Sequence, residues 1–186
     1  NSMRMEAEVV RDSILYVAGQ LDMTMGGKHI PDTEGLKTFR RSIYIEHHGE
    51  GRIQWLDLFD APNPLDCYMR TTSVRPQQAL ALANSEIAQR QGILLARSLH
   101  EQFSDSDAFV TASFQQVLSR DPSESERTAS LEFIDTQTRL FQETAPEELD
   151  TAGDGSEVVP SADPFLRSRE NFVHALFSHS DFVTVR

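Results

Sequence analysis

The residues best suited to chemistry lie in the middle of the chain. Arg40-Arg41-Ser42 is followed by Phe59-Asp60-Ala61-Pro62-Asn63, and then by Cys67, Arg70, Thr71, Thr72 and Arg75. Fifteen of the 17 basic residues are arginine, whose planar fork pairs with carboxylates and with oxyanions in fixed two-point geometry. Two readings follow. Asp60 and the arginines could form a buried ion-pair network that pins irregular chain to helices, which is the favoured reading. Alternatively, Arg40, Arg41 and Arg70 form a clamp for a carboxylate, sulfate or phosphate on a ligand, with Asp60 available as a general base.

Other chemistries find little support. His47 and His48 are adjacent, and in an extended segment they point to opposite faces. His174 and His179 are five apart, an offset that does not place two side chains on one helical face. No metal site is therefore expected from local spacing, although His29, His47 and Asp60 could still meet in space. There is no GxSxG elbow, no Walker loop, no GxGxxG and no zinc spacing. Cys67 is the sole cysteine, more in keeping with a small buried apolar residue than with a nucleophile. Without CxxCH the chain cannot attach haem, and no cofactor is expected.

These groups must be positioned by helices. Ala7, Val10, Ile14 and Val17 trace one face at spacings of three and four, predicting a helix over about 3–18 stopped by Gly19, with Arg11 and Asp12 on other faces. Residues 21–39 have no period and read as a loop. Ser42-Ile43-Tyr44-Ile45 leans toward β structure, and Ile53, Trp55, Leu56 and Phe59 form a short packed segment ended by Pro62 and Pro64. A long helix is predicted from Pro76 through Phe103 along Leu80, Ala83, Ile87, Leu94, Leu95 and Leu99, with Gly92 as its weak point. Val110, Phe114, Val117 and Leu118 mark a helix after Asp105. Ser123 with Glu126 forms a capping box for the next, which buries Leu131, Ile134 and Phe141, and Asp163-Pro164 opens a last one facing inward through Phe172, Val173, Leu176 and Phe177. The expected fold is mainly α: a single helical domain over 1–186 with long irregular connections and at most a short β-hairpin near Ser42.

With 186 residues, 39% of them hydrophobic, the chain can bury a substantial core. Its net charge of −12 disfavours nucleic acid as a partner. Seven of the acidic residues and no basic one fall between Glu143 and Asp163, beside Pro146, Gly153, Gly155 and Pro160. This stretch reads as a solvated acidic loop or linker. Asp150, Asp154 and Glu157 offer oxygen ligands, but their spacing is not that of an EF-hand. No apolar run is long enough to span a membrane, and the opening residues have no signal-peptide core and read as the middle of a longer protein.

The order of segments carries a resemblance. RMEAEVVRDSIL (Arg4 to Leu15), TMGG (Thr24 to Gly27), RRSIY (Arg40 to Tyr44), FDAPN (Phe59 to Asn63), PQQALALAN (Pro76 to Asn84), LSRDPSESE (Leu118 to Glu126) and NFVHALFSHSDFV (Asn171 to Val183) together resemble the planctomycete-specific C-terminal domain of unknown function found with planctomycete cytochrome c-type domains. The resemblance covers nearly the whole chain and implies the C-terminal portion of a larger domain. Arg40, Arg41, Asp60, Cys67 and Arg70 match the family motif, as do Pro76, Gln78 and Asn84, whose role is unknown. Gln77 is polar where the family is commonly apolar, which predicts looser packing there. No activity is established for the family. Its members look exported, implying a periplasmic or extracellular location.

Two functions are expected from this. One is a non-catalytic helical module that docks upstream domains of its parent protein or co-encoded exported partners. The alternative is a domain that binds or hydrolyses an anionic polysaccharide, sulfated or uronic, through the arginine clamp. Whether the chain is an enzyme stays open.

Overall fold

In the computed structural model, which describes residues 3–49, 51–66, 73, 76–144 and 158–185, the first apolar stripe forms helix α1 (Ala7–Val17). Its buried face is Ala7, Val10, Arg11, Ile14 and Leu15. The helix starts later than its sequence predicts because Met3–Arg4 form a strand, β1, paired antiparallel with β2 (Thr184–Val185). Met5 extends the pairing by donating its N–H to the Val183 carbonyl at 2.9 Å. Gly19 ends the helix as expected, at φ +70°, a conformation that costs glycine little.

The chain divides into two compact units, Asn1–Ile87 with Ser178–Arg186, and Ala88–Phe177. In the first, α1 is followed by irregular chain interrupted by 3-10 turns at Asp32–Glu34 and Ser42–Tyr44, then by α2 (Gln54–Leu58) and α3 (Pro76–Asn84). Helix α1 packs against the Ser42–Tyr44 turn and α2, and α2 packs against α3. Trp55 and Phe59 bring their rings to 4.6 Å within this core.

The β-leaning Ser42 segment is not a ribbon. Ser42 is buried against α1, where Asp12 accepts its backbone N–H at 3.0 Å and its hydroxyl at 2.6 Å, and this drives the chain into a turn. Extended pairing in the irregular region shrinks to two isolated parallel bridges, Asp22 with Arg40 and Ile30 with Ile45.

Arg11 holds this region together. Its side chain is wholly buried, and its Nε donates to the Gly35 carbonyl at 2.9 Å. Nη1 donates to the Arg40 carbonyl at 3.0 Å, to Ser42 Oγ at 3.2 Å and to Asp12 at 2.8 Å, and Nη2 donates to the Thr38 carbonyl at 2.5 Å. One side chain thus closes three carbonyls of a segment with no regular ladder to close them. Burial lowers the Arg11 pKa from its usual value, and the neighbouring Asp12 carboxylate opposes the shift.

The second unit contains almost all of α4 (Glu86–Gln102), with α5 (Ser106–Leu118), α6 (Glu124–Glu143) and α7 (Pro164–Phe177). The single long helix expected from Pro76 is two helices, separated at Ser85. Its apparent stripe joined two different faces: α3 buries Gln78 and Leu82, leaving Leu80 59% exposed, whereas α4 buries Ile87, Ala88, Gln91 and Leu95. Gly92 is no break. A Cβ there would lie 3.3 Å from the Cα of His174, so the glycine lets α4 approach the backbone of α7. Phe172 of α7 is surrounded by Phe109, Phe114 and Phe133, with centroids 6.3 to 6.4 Å away.

A second buried arginine serves this unit. Arg169 donates to the Phe103 and Ser104 carbonyls, both at 2.8 Å, and lies over the rings of Phe109 and Phe165 at 4.3 Å. It also meets His100 Nδ1 at 2.9 Å; because arginine cannot accept, that nitrogen accepts and the imidazole proton sits on Nε2. Glu170, likewise buried, receives Arg97 Nε at 2.9 Å and the Ser161 N–H at 2.8 Å, tying residues 158–161 to the helices. Most of the expected acidic loop, including Asp150, Asp154 and Glu157, lies outside the described residues.

The caps follow the sequence closely. Asp105 accepts from the Ala108 N–H at 2.9 Å, and Asp163 from the Leu166 N–H at 3.2 Å. Ser123 and Glu126 make both bonds of the capping box. Two bonds from Arg120, with the Ser123 N–H, push the Glu126 carboxyl down to about 2. A depressed carboxyl stabilises the fold above its unfolded pKa and loses that contribution as pH falls through the folded value. The stability gap between wild type and Glu126→Gln in urea unfolding is therefore expected to be full at pH 7 and to close between pH 4.5 and about 2. A gap unchanged across that range would show that the carboxylate charge contributes nothing.

Candidate functional site

The arginines and Asp60 do not converge on one clamp among the described residues. The Arg40 guanidinium turns back onto the Gly26-Gly27 turn, donating to the Gly26 carbonyl and, at 3.2 Å, to that of Lys28, and lies 4.1 Å over the Tyr44 ring. Both glycines have positive φ, and a Cβ on Gly27 would stand 3.2 Å from Arg40 Nη1, so the turn is shaped to receive this side chain. Asp60, itself at φ +61°, accepts from the Ser73 N–H at 2.6 Å and from its hydroxyl at 2.8 Å. Ser73 in turn accepts from Gln78 Nε2 at 3.2 Å through its carbonyl.

Two residues singled out in the sequence, Asp60 and Gln78, are therefore joined through Ser73, and the joint anchors the start of α3, where Pro76 takes the first position. Gln78 is buried and Gln77 is exposed, so the polar side chain at 77 leaves the packed face untouched and does not loosen it as expected. Asn84 is the exposed last residue of α3. Cys67 and Arg70 lie outside the described residues.

Arg41 lies instead on the wall of a cleft of about 670 Å³ in the first unit. One wall is a face of α1 carrying Val9, Ser13 and Tyr16, with Glu6 just before the helix; the other is the chain from Arg41 to His47, with Ile53, Leu56 and Asp57 beside it. Position on α1 explains the first wall, since 9, 13 and 16 recur at helical spacing. Arg11 explains the second, because its bonds to the Arg40 carbonyl and Ser42 hydroxyl set where Ile43 and Ile45 stand. The sequence reading placed Arg11 off the apolar stripe and missed this role. Its signal was position, since Arg11 is four residues from both Ala7 and Leu15 and so shares the buried face.

The histidines are distributed rather than clustered. His29 faces Glu46 at 3.0 Å, and His47 Nε2 donates to the Pro62 carbonyl at 2.5 Å, so the arrangement of His29, His47 and Asp60 does not form. Asp32, Glu46 and His48 do bring potential ligand atoms within 4.8 Å of one another. His48 Nδ1 accepts the Gly51 N–H at 3.0 Å, which leaves the imidazole proton on Nε2. As arranged, that histidine presents a hydrogen-bond donor there and not a lone pair for a cation.

Gly35 supports the floor of the cleft. Its backbone, at φ −58° and ψ −33°, is open to any residue. Space is the reason for glycine, because a Cβ would strike Ile53 Cδ1 and lie 3.1 Å from Ile45 Cγ2, both cleft residues. Gly35→Ala is expected to destabilise the chain by about 1 to 3 kcal/mol through overpacking, measured by urea unfolding. A neutral result would mean that Ile45 and Ile53 are free to move and the cleft floor is not fixed.

No curated protein and no solved structure matches the chain. A family model does match, the one described as PSD1, protein of unknown function (DUF1553), over residues 1–134. That span contains the cleft, the Asp60–Ser73–Gln78 joint and the arginine-rich motif, and the chain belongs to this family.

Proposed function

We propose that the chain is a helical docking module whose cleft beside α1 receives an apolar segment of a partner polypeptide. The observation that carries this reading is the exposure of large apolar side chains around the cleft: Val9 44%, Tyr16 65%, Met23 57% and Ile43 74%. Such side chains gathered in one place mark interaction surfaces. A small ligand is ordinarily enclosed over most of its surface, whereas side chains this open suit a partner long enough to cover them together.

The polysaccharide reading fares less well. Among the described residues the cleft is lined by the carboxylates of Glu6, Glu8, Asp12, Glu46 and Asp57 and by the guanidinium of Arg41. A sulfated or uronic polymer would meet like charge there, and Arg40 is committed to backbone carbonyls.

The test is selection of binders from a displayed library of random 12-residue peptides on the full chain, followed by fluorescence anisotropy of those enriched. Ile43→Asp is expected to weaken the selected peptides at least tenfold, about 1.4 kcal/mol, while leaving the thermal transition in place. A sulfated oligosaccharide is expected not to bind. Failure to enrich any peptide, with an oligosaccharide bound and lost in Arg41→Ala, would reverse the assignment in favour of the clamp.

A further inference from the structure

We propose that the first unit holds a second site, a pocket suited to a small organic carboxylate. Its volume is about 390 Å³, within the usual range for small-molecule sites. All of its lining belongs to that unit, and among the described residues no carboxylate lines it. Arg4 comes from β1, Ser178 and His179 from the chain just after α7, and Ser180 from the 3-10 turn Ser180–Val183. Pro76 and Ala79 of α3, with Leu82 and Val183, supply the apolar side.

The polar groups are fixed by the fold and keep donors that the fold does not use. Arg4 is held at its backbone opposite Thr184 of β2, and its guanidinium makes no hydrogen bond or ion pair among the described residues. His179 Nδ1 accepts the Asp181 N–H at 3.1 Å, which caps the turn and leaves the imidazole proton on Nε2. That Nε2 has no partner among the described residues, and neither do the hydroxyls of Ser178 and Ser180. The Asp181 carboxylate stands 3.9 Å from Nδ1, the other ring nitrogen, and does not line the pocket.

A guanidinium, an imidazole N–H and two hydroxyls can all donate, and in this tautomer only the guanidinium carries charge. One fixed positive charge matches a monoanion better than a phosphate dianion, and the planar fork takes both oxygens of a carboxylate. The first turn of α3, through Pro76 and Ala79, lies against the pocket and adds the positive end of a helix dipole. The apolar side is then free to cover the body of the ligand.

Hexanoate, hexanol and inorganic phosphate test this, each titrated to millimolar concentrations into the isotopically labelled full chain with amide shifts followed by NMR. Hexanoate is expected to move the amides of Arg4, Ala79 and Ser180 saturably and to bind at least tenfold more tightly than hexanol or phosphate. Arg4→Gln is expected to weaken hexanoate at least tenfold while leaving the thermal transition in place. His179→Asn keeps an oxygen to cap the Asp181 N–H and removes the Nε2 donor, and severalfold weaker binding is expected. Hexanol as tight as hexanoate, or hexanoate unchanged in Arg4→Gln, overturns the anion assignment, and phosphate tighter than hexanoate overturns the choice of carboxylate. Shifts at Val9 and Tyr16 in place of those three amides, or no saturable shift with any probe, overturns the site and leaves the docking reading standing.

Discussion

A guanidinium with no access to solvent decides how the first half of this chain is arranged. Irregular backbone carries carbonyls that neither helix nor sheet can close, and leaving them buried and unpaired costs about 1 to 3 kcal/mol each. Arg11 answers three of them, at Gly35, Thr38 and Arg40, from a helix that is itself held by ordinary apolar packing. The same solution recurs in the second unit, where Arg169 takes the carbonyls of Phe103 and Ser104. In both cases burial lowers the arginine's pKa, and a nearby carboxylate, Asp12 or Asp105, opposes it. Arginine suits this place because its charge survives a desolvation that would neutralise lysine, and its donors are spread over a fixed plane.

The cleft follows from that arrangement. With Ser42 held under Asp12 and Arg11, the chain on either side is turned so that Ile43 faces outward and Arg41 to His47 forms a wall opposite α1. Glycine at 35 leaves room beneath for Ile45 and Ile53. The cleft is thus a consequence of how otherwise unpaired backbone is satisfied, and one of its lining carboxylates, Asp12, is the direct neighbour of the arginine that does so. The family assignment supplies no activity.

The parts of the fold set by local chemistry were legible in the sequence. The caps at Asp105, Ser123 and Asp163 and the buried faces of α5 and α7 depend on neighbours within one or two turns, and these fall where spacing puts them. What depended on distant partners was not legible. The Ser42 segment leans toward strand, yet its backbone bonds Asp12, thirty residues away, and it becomes a turn. Arg40, Arg41 and Asp60 attract notice as charged groups near one another in sequence, but a guanidinium can be satisfied by carbonyls as well as by carboxylates, and composition does not distinguish the two. Arg11 was hidden because its charge argued for a solvent face, although its spacing from Ala7 and Leu15 argued for the core.

The most direct test of this account is hydrogen exchange in Arg11→Met, read at the amides of Asp22, Ile30 and Glu46, which donate to Phe39, Tyr44 and Ile30 across the irregular region. If Arg11 organises that region, these amides lose protection severalfold or more while the amides of α5 to α7 keep theirs. Unchanged protection at Asp22, Ile30 and Glu46 in the variant would contradict the account, since the region would then hold its shape without the guanidinium.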